Sequence, residues 1–133
     1  MFVDASAIIA IIAREPDGDR LAAILGLAGQ GITSSIAIFE AALGLRRKGL
    51  ISQDMAELLL QDFLEATNIR VVAISPEAGY EALAAHARFG RGRGHPAKLN
   101  MGDCFAYAVA KAHNVPLLFT GNDFPHTDIT PAA

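Results

Sequence analysis

The sequence predicts an α/β domain built on a central, mainly parallel sheet with helices on both faces. Three observations carry that expectation. Short apolar or β-branched runs alternate with longer stretches of helical spacing along the whole chain. Capping and turn residues punctuate nearly every change between them. Strands separated by helices run parallel, because each helix carries the chain back across the sheet. With 133 residues, 52% of them hydrophobic, the chain fits one domain over 1–133 and is too apolar for disorder.

The elements follow in order. Met1–Val3 is apolar and runs straight into Asp4, as expected for a buried strand that delivers an acid at its end. Ser6 is placed to cap a helix over Ala7–Ala13. Glu15-Pro16-Asp17-Gly18 is a turn signal, after which Asp19–Leu27 resumes helical spacing through Leu21, Ile24 and Leu25. Gly31-Ile32-Thr33 predicts a second strand, and Ser34 or Ser35 caps a helix over Ile36–Lys48. That helix ends in Arg46-Arg47-Lys48 and then Gly49, with cations at its negative end and a glycine just past it. Ser52–Thr67 is a further helical segment, and the β-branched run Ile69–Ile74 is the clearest strand in the chain.

Ser75-Pro76 gives a cap followed by proline at the first helical position, opening a helix to about Phe89. Gly90–Pro96 breaks regularity with three glycines, and Asn100 caps a helix over Met101–His113. Val115–Phe119 predicts another apolar strand, and Asp128-Ile129-Thr130 a last short one.

Composition narrows the function classes. The lone Cys104 forms no internal disulfide and matches no metal-ligand spacing, which favours the cytoplasm. The apolar run Ala5–Ala13 is far short of the roughly 20 residues that cross a bilayer, and no basic segment precedes it. No membrane association is expected. A net charge of -3 does not advertise a nucleic-acid binder, but Arg88–Lys98 carries Arg88, Arg91, Arg93 and Lys98 with no acid among them. A locally basic stretch beside an acidic hole fits that distribution.

Four acids stand out. Asp4 follows the first strand, and Asp123 follows the strand Val115–Phe119 by a few residues, in Thr120-Gly121-Asn122-Asp123-Phe124. Functional groups of parallel sheets collect at the carboxyl ends of strands, yet aspartate is also a common turn and cap residue. Glu40 shares a helix face with Ile36, Leu43 and Gly44, which points it near the core, unless Arg46 or Arg47 pairs with it. Asn100-Met101-Gly102-Asp103 resembles a reciprocal cap with Asp103 at the third helical position. Gly102 is not explained by the cap, because glycine inside a helix costs up to about 1 kcal/mol. Something approaching the backbone closely would explain it.

Such a set of acids suits a hard divalent cation, Mg²⁺ or Mn²⁺, whose charge relieves their mutual repulsion. That ion would activate water for attack at phosphorus. His86, His95, His113 and His126 show no paired zinc spacing, and no P-loop or dinucleotide fingerprint is present.

The ordered set Asp4-Ala5-Ser6, Glu40, Asn100-Met101-Gly102-Asp103-Cys104-Phe105-Ala106-Tyr107-Ala108 and Leu117-Leu118-Phe119-Thr120-Gly121-Asn122-Asp123-Phe124 resembles the PIN-domain nucleases. More closely, it is similar to the VapC toxins of type II toxin–antitoxin pairs. The resemblance implies a three-layer α/β/α fold and an endoribonuclease requiring Mg²⁺ or Mn²⁺. It also implies a homodimer silenced by a VapB-like antitoxin. By resemblance Asp4 and Asp103 are the main metal ligands, with Glu40 and Asp123 completing the catalytic cluster. Many relatives carry an aspartate where Asn122 stands, so Asn122 or Asp128 is an alternative contributor.

Substrate contacts are expected from Ser6 and Thr120 near the acids and from Arg88, Arg91, Arg93 and Lys98. Gly90, Gly92 and Gly94 alternate with Arg91, Arg93 and His95 in a basic loop suited to grip phosphates, or else to lie solvated on the surface. Phe89 is read as a core residue. Leu58, Leu59, Leu60, Phe63 and Leu64 exceed one helical face and suggest a dimer or antitoxin surface. Two other functions remain open: a non-catalytic binding module on the same fold, and a phosphoaspartate enzyme or receiver. The second lacks the aspartate two residues after the first, where Ser6 stands.

Overall fold

The sheet at the centre of the computed structural model has four strands, β1 (Phe2–Val3), β2 (Ile32–Ser34), β3 (Arg70–Val72) and β4 (Leu117–Leu118). They lie in the order β3-β2-β1-β4, and each neighbouring pair is parallel. The structure describes residues 1–49 and 51–133. Among them, six helices flank the sheet: α1 (Ala5–Ile12), α2 (Gly18–Ala28), α3 (Ser35–Gly49), α4 (Gln53–Thr67), α5 (Pro76–Phe89) and α6 (Met101–Ala112). The result is the expected three-layer α/β/α arrangement. No helix among the described residues is long and apolar enough to cross a membrane.

Burial explains why β1 is central. Phe2, Val3, Leu117 and Leu118 are all fully buried, as are Ile8 of α1 and Leu21 of α2. Strands covered on both faces read as continuous apolar runs, and β1 and β4 do. Thr33 is buried between them and the edge, and its hydroxyl donates to the Val3 carbonyl at 2.9 Å, so no polar atom is orphaned there.

Several local expectations shift. The strand expected over Ile69–Ile74 is paired only over Arg70–Val72, because it is an edge strand and its one neighbour, β2, offers three residues. Arg70 and Val71 are exposed, so β-branched composition marked a strand but not a buried one. The segment Asp128–Thr130 forms no strand. It meets the sheet through one bridge between Leu117 and Pro131, with Leu117 N–H donating to the Thr130 carbonyl at 2.9 Å. The cap of α1 is Asp4 and not Ser6, because the chain turns into the helix directly after Val3 and leaves Asp4 as the extended residue. Ser34, Ser52 and Ser75 each accept a helix-opening amide, as their positions suggest.

Candidate metal-binding active site

Asp4 is fixed by the β1–α1 junction. Its N–H donates to the Leu118 carbonyl at 3.0 Å, which aligns it with the end of β4. Only 4% of the residue is exposed, so water cannot solvate the charge. Ser6 does part of that work: its N–H and its hydroxyl both donate to Asp4 Oδ2, at 3.0 and 2.6 Å. The Thr120 N–H in turn donates to Ser6 Oγ at 3.2 Å, tying the rim of β4 to the same group. Burial raises the Asp4 pKa, and the Ser6 bonds pull it back.

Glu40 arrives from the neighbouring strand. The chain turns from β2 into α3 with Ser34 Oγ accepting the Ala37 N–H at 3.3 Å, and Glu40 sits on the second turn. No ion pair involves it among the described residues, so neither Arg46 nor Arg47 neutralises it. Its carboxylate lies against Gly102, where a β-carbon would collide with both carboxylate oxygens. Burial pushes its pKa up to about 7, and the charges of Asp4 and Asp103 add to the rise.

Asp103 opens α6 in a complete capping box. Its N–H donates to Asn100 Oδ1 at 2.8 Å, and the Asn100 N–H donates to Asp103 Oδ2 at 3.1 Å. The cap predicted from sequence is therefore present, but it does not prevent the acid from facing others. Burial raises the Asp103 pKa to about 6, opposed by the Asn100 N–H. Asp4 and Asp123 raise it further, and Arg91 lowers it. Asp123 is exposed, after a turn in which Gly121 takes φ +102°, a value that favours glycine. Its charge reaches Asp103, so the four acids form one electrostatic neighbourhood drawn from four segments.

They do not yet form a finished ion cage. Among the described residues no three His, Cys, Asp or Glu side chains stand close enough to hold an ion between them. Asp4 and Asp103 each have one oxygen turned to a hydrogen bond, and Glu40 leans on α6. The donor set is nonetheless all oxygen, crowded and short of cations, which fits a hard divalent ion and not zinc. Cys104 is buried and its thiol is pushed up to about 11 by burial and by Asp103, so it offers no nucleophile near neutrality.

The remaining candidates divide. Asp128 accepts from the Tyr107 hydroxyl at 2.5 Å and from Lys111 Nζ at 3.2 Å, and Arg88 lies 4.0 Å away. Its carboxylate is thus engaged by Tyr107 and Lys111. Arg88 also covers the Phe89 ring at 4.5 Å, and Phe89 is buried as expected. Asn122 is exposed beside Asp123. Ser6 spends its hydroxyl on Asp4, and Thr120 contributes its amide to Ser6.

The basic loop is closed at its neck. Leu99 N–H donates to the Phe89 carbonyl and Arg91 N–H to the Leu99 carbonyl, both at 2.9 Å. Gly92 and Gly94 turn it with φ of +83° and +76°, and Arg91, Arg93 and Lys98 are exposed on it. Sequence reasoning missed the support of Asp4 by Ser6, although an aspartate side chain commonly accepts the backbone N–H two residues on.

Comparison with known proteins agrees with this geometry. The family model described as the PIN domain matches residues 1–129. A VapC ribonuclease of Rhizobium meliloti is 40% identical over 139 residues, covering 96% of this chain and 98% of its own. Ribonuclease VapC42 of Mycobacterium tuberculosis is 37% identical over 134 residues, covering 99% of this chain and 98% of its own. Ribonuclease VapC28 of the same organism is 40% identical over 131 residues, covering 97% and 95%. The chain belongs to the PIN domain family and, within it, to the VapC ribonucleases.

Proposed function

We propose that this protein is an endoribonuclease that hydrolyses RNA phosphodiester bonds with Mg²⁺ or Mn²⁺ held by the acidic cluster. The observation that carries the reading is the electrostatic meeting of Asp4, Glu40, Asp103 and Asp123 at the carboxyl edge of the sheet, with no cation of the protein paired to them at ion-pair distance among the described residues. Asp4 and Asp103 are the primary ligands, and Glu40 and Asp123 complete the set. A bound divalent ion supplies charge neutralisation and a more acidic water for in-line attack at phosphorus.

The chain's own residues do the rest. Ser6 holds Asp4 in one orientation through two hydrogen bonds. The Asn100–Asp103 box holds the second acid at the start of a helix, where negative charge is favoured. Arg91, Arg93 and Lys98 draw phosphates towards the acids, which gives affinity without sequence choice. Arg88 is partly withdrawn from that task by Asp128.

A phosphoaspartate reading fares worse, because a phosphoryl group on the buried Asp4 would add negative charge beside Glu40 and Asp103. As partners we propose RNA as substrate, a second copy of the chain and a VapB-like antitoxin, all met in the cytoplasm. Leu58 on α4 is exposed while Leu60 is buried, so part of that apolar stretch is core and part is surface for a protein partner.

The test is cleavage of a mixed RNA pool. Cleavage should require Mg²⁺ or Mn²⁺, stop in chelator, and vanish in Asp4→Ala and Asp103→Ala while both variants stay folded. Undiminished cleavage by both variants in chelator would overturn the proposal.

A further inference from the structure

Gly102 is buried in the first turn of α6 and has an ordinary helical backbone, since it is not among the residues with positive φ. No turn demands glycine there, and a helix interior disfavours it. What the position lacks is a β-carbon. One built there would meet Oε1, Oε2 and the carboxyl carbon of Glu40, and no other atom is among its nearest neighbours. Other buried glycines differ. At Gly44 the obstruction would be the Ile9 side chain, and at Gly18 the Ala10 backbone. Those glycines serve packing, whereas Gly102 faces a carboxylate.

We propose that Gly102 is a positioning residue, whose missing side chain is the berth that lets the Glu40 carboxylate lie beside Asp103 at the metal site. The inference rests on the metal-dependent reading above. Glu40 belongs to α3 and Asp103 to α6, so the distance between the two acids is set where the helices meet, and Gly102 is that meeting point. A β-carbon at 102 would not break the fold, because the three atoms it strikes are the tip of a flexible side chain. It would swing the carboxylate away, leaving Asp4 and Asp103 with a weaker set of donors. Supporting groups of this kind change metal affinity by about 10–100-fold.

The experiment is a double-mutant cycle on the full chain, with Mn²⁺ affinity read by calorimetry and Glu40 located in metal-free crystals of G102A. G102A should keep its circular-dichroism spectrum and lose roughly tenfold or more in Mn²⁺ affinity. Glu40→Ala should lose a similar factor, and G102A added to Glu40→Ala should lose nothing more. The crystals should show the Glu40 carboxylate displaced from its place over α6. A Glu40 carboxylate that stays put in G102A overturns the inference, as does a G102A loss that persists in full without Glu40. If the wild-type chain itself takes up no Mn²⁺, the functional reading falls, and the Glu40 position in G102A still decides the berth.

Discussion

The Ser6 hydroxyl donates to Oδ2 of Asp4 at 2.6 Å, and the Ser6 amide donates to the same oxygen at 3.0 Å. A buried carboxylate with two donors on one oxygen keeps the other oxygen free to meet a cation. Charge-assisted bonds of this kind are the strong ones.

Ser6→Ala should therefore weaken Mn²⁺ binding by about tenfold and destabilise the fold by about 1–3 kcal/mol. Ser6→Thr keeps the hydroxyl and should restore most of both. Calorimetry and chemical denaturation read the two effects, and an unchanged Mn²⁺ affinity in Ser6→Ala would remove Ser6 from the site.

Metal-free protein should lose stability as pH rises. The folded pKa of Glu40 is raised to about 7 from 4.5, and that of Asp103 to about 6 from 3.8. An acid with a raised folded pKa binds more protons folded than unfolded between the two values, so stability falls from about pH 4 to pH 7. Glu40→Gln should flatten much of that slope and raise metal-free stability at pH 8 by about 1–2 kcal/mol after allowance for screening. Denaturation midpoints at pH 5 and pH 8 measure it, with saturating Mn²⁺ restoring the stability of the wild type at pH 8.

The C-terminal anchor should be separable from the site. Tyr107 donates to Asp128, and burial together with that bond pushes the Tyr107 pKa up to about 12. Tyr107→Phe should cost about 1 kcal/mol of stability and leave Mn²⁺ affinity unchanged. A large loss of metal binding in this variant would mean that Asp128 does contribute to the cluster.

Arg91 and Arg93 are exposed and make no ion pair among the described residues. Replacing both with alanine should leave the melting temperature alone, weaken RNA binding, and reduce the salt dependence of binding to single strands by about 1.4 log units per log unit of salt. Fluorescence anisotropy across a salt series checks this.

The layer order, the helices and the acids' segments were legible because they depend on local signals. The cap at Asn100, the serines at 34, 52 and 75, and the apolar runs at Phe2–Val3 and Leu117–Leu118 each announce themselves within a few residues. Strand extent was not legible, because Arg70–Val72 is limited by how much of β2 is available and not by its own composition. Pairing between distant side chains was equally hidden. Nothing near Asp128 marks Tyr107 as its partner, and nothing near Gly102 names Glu40 as the group that approaches it. Gly102 could be flagged as unexplained from its neighbours, but only the crossing of α3 and α6 supplies the reason.

The most direct measurement is anomalous diffraction from crystals soaked in Mn²⁺. A peak within about 2.0–2.4 Å of carboxylate oxygens of Asp4 and Asp103, absent after Asp103→Asn, is the predicted result. Mn²⁺ bound elsewhere on the chain, or no peak in crystals of protein that still cleaves RNA in chelator, would contradict it.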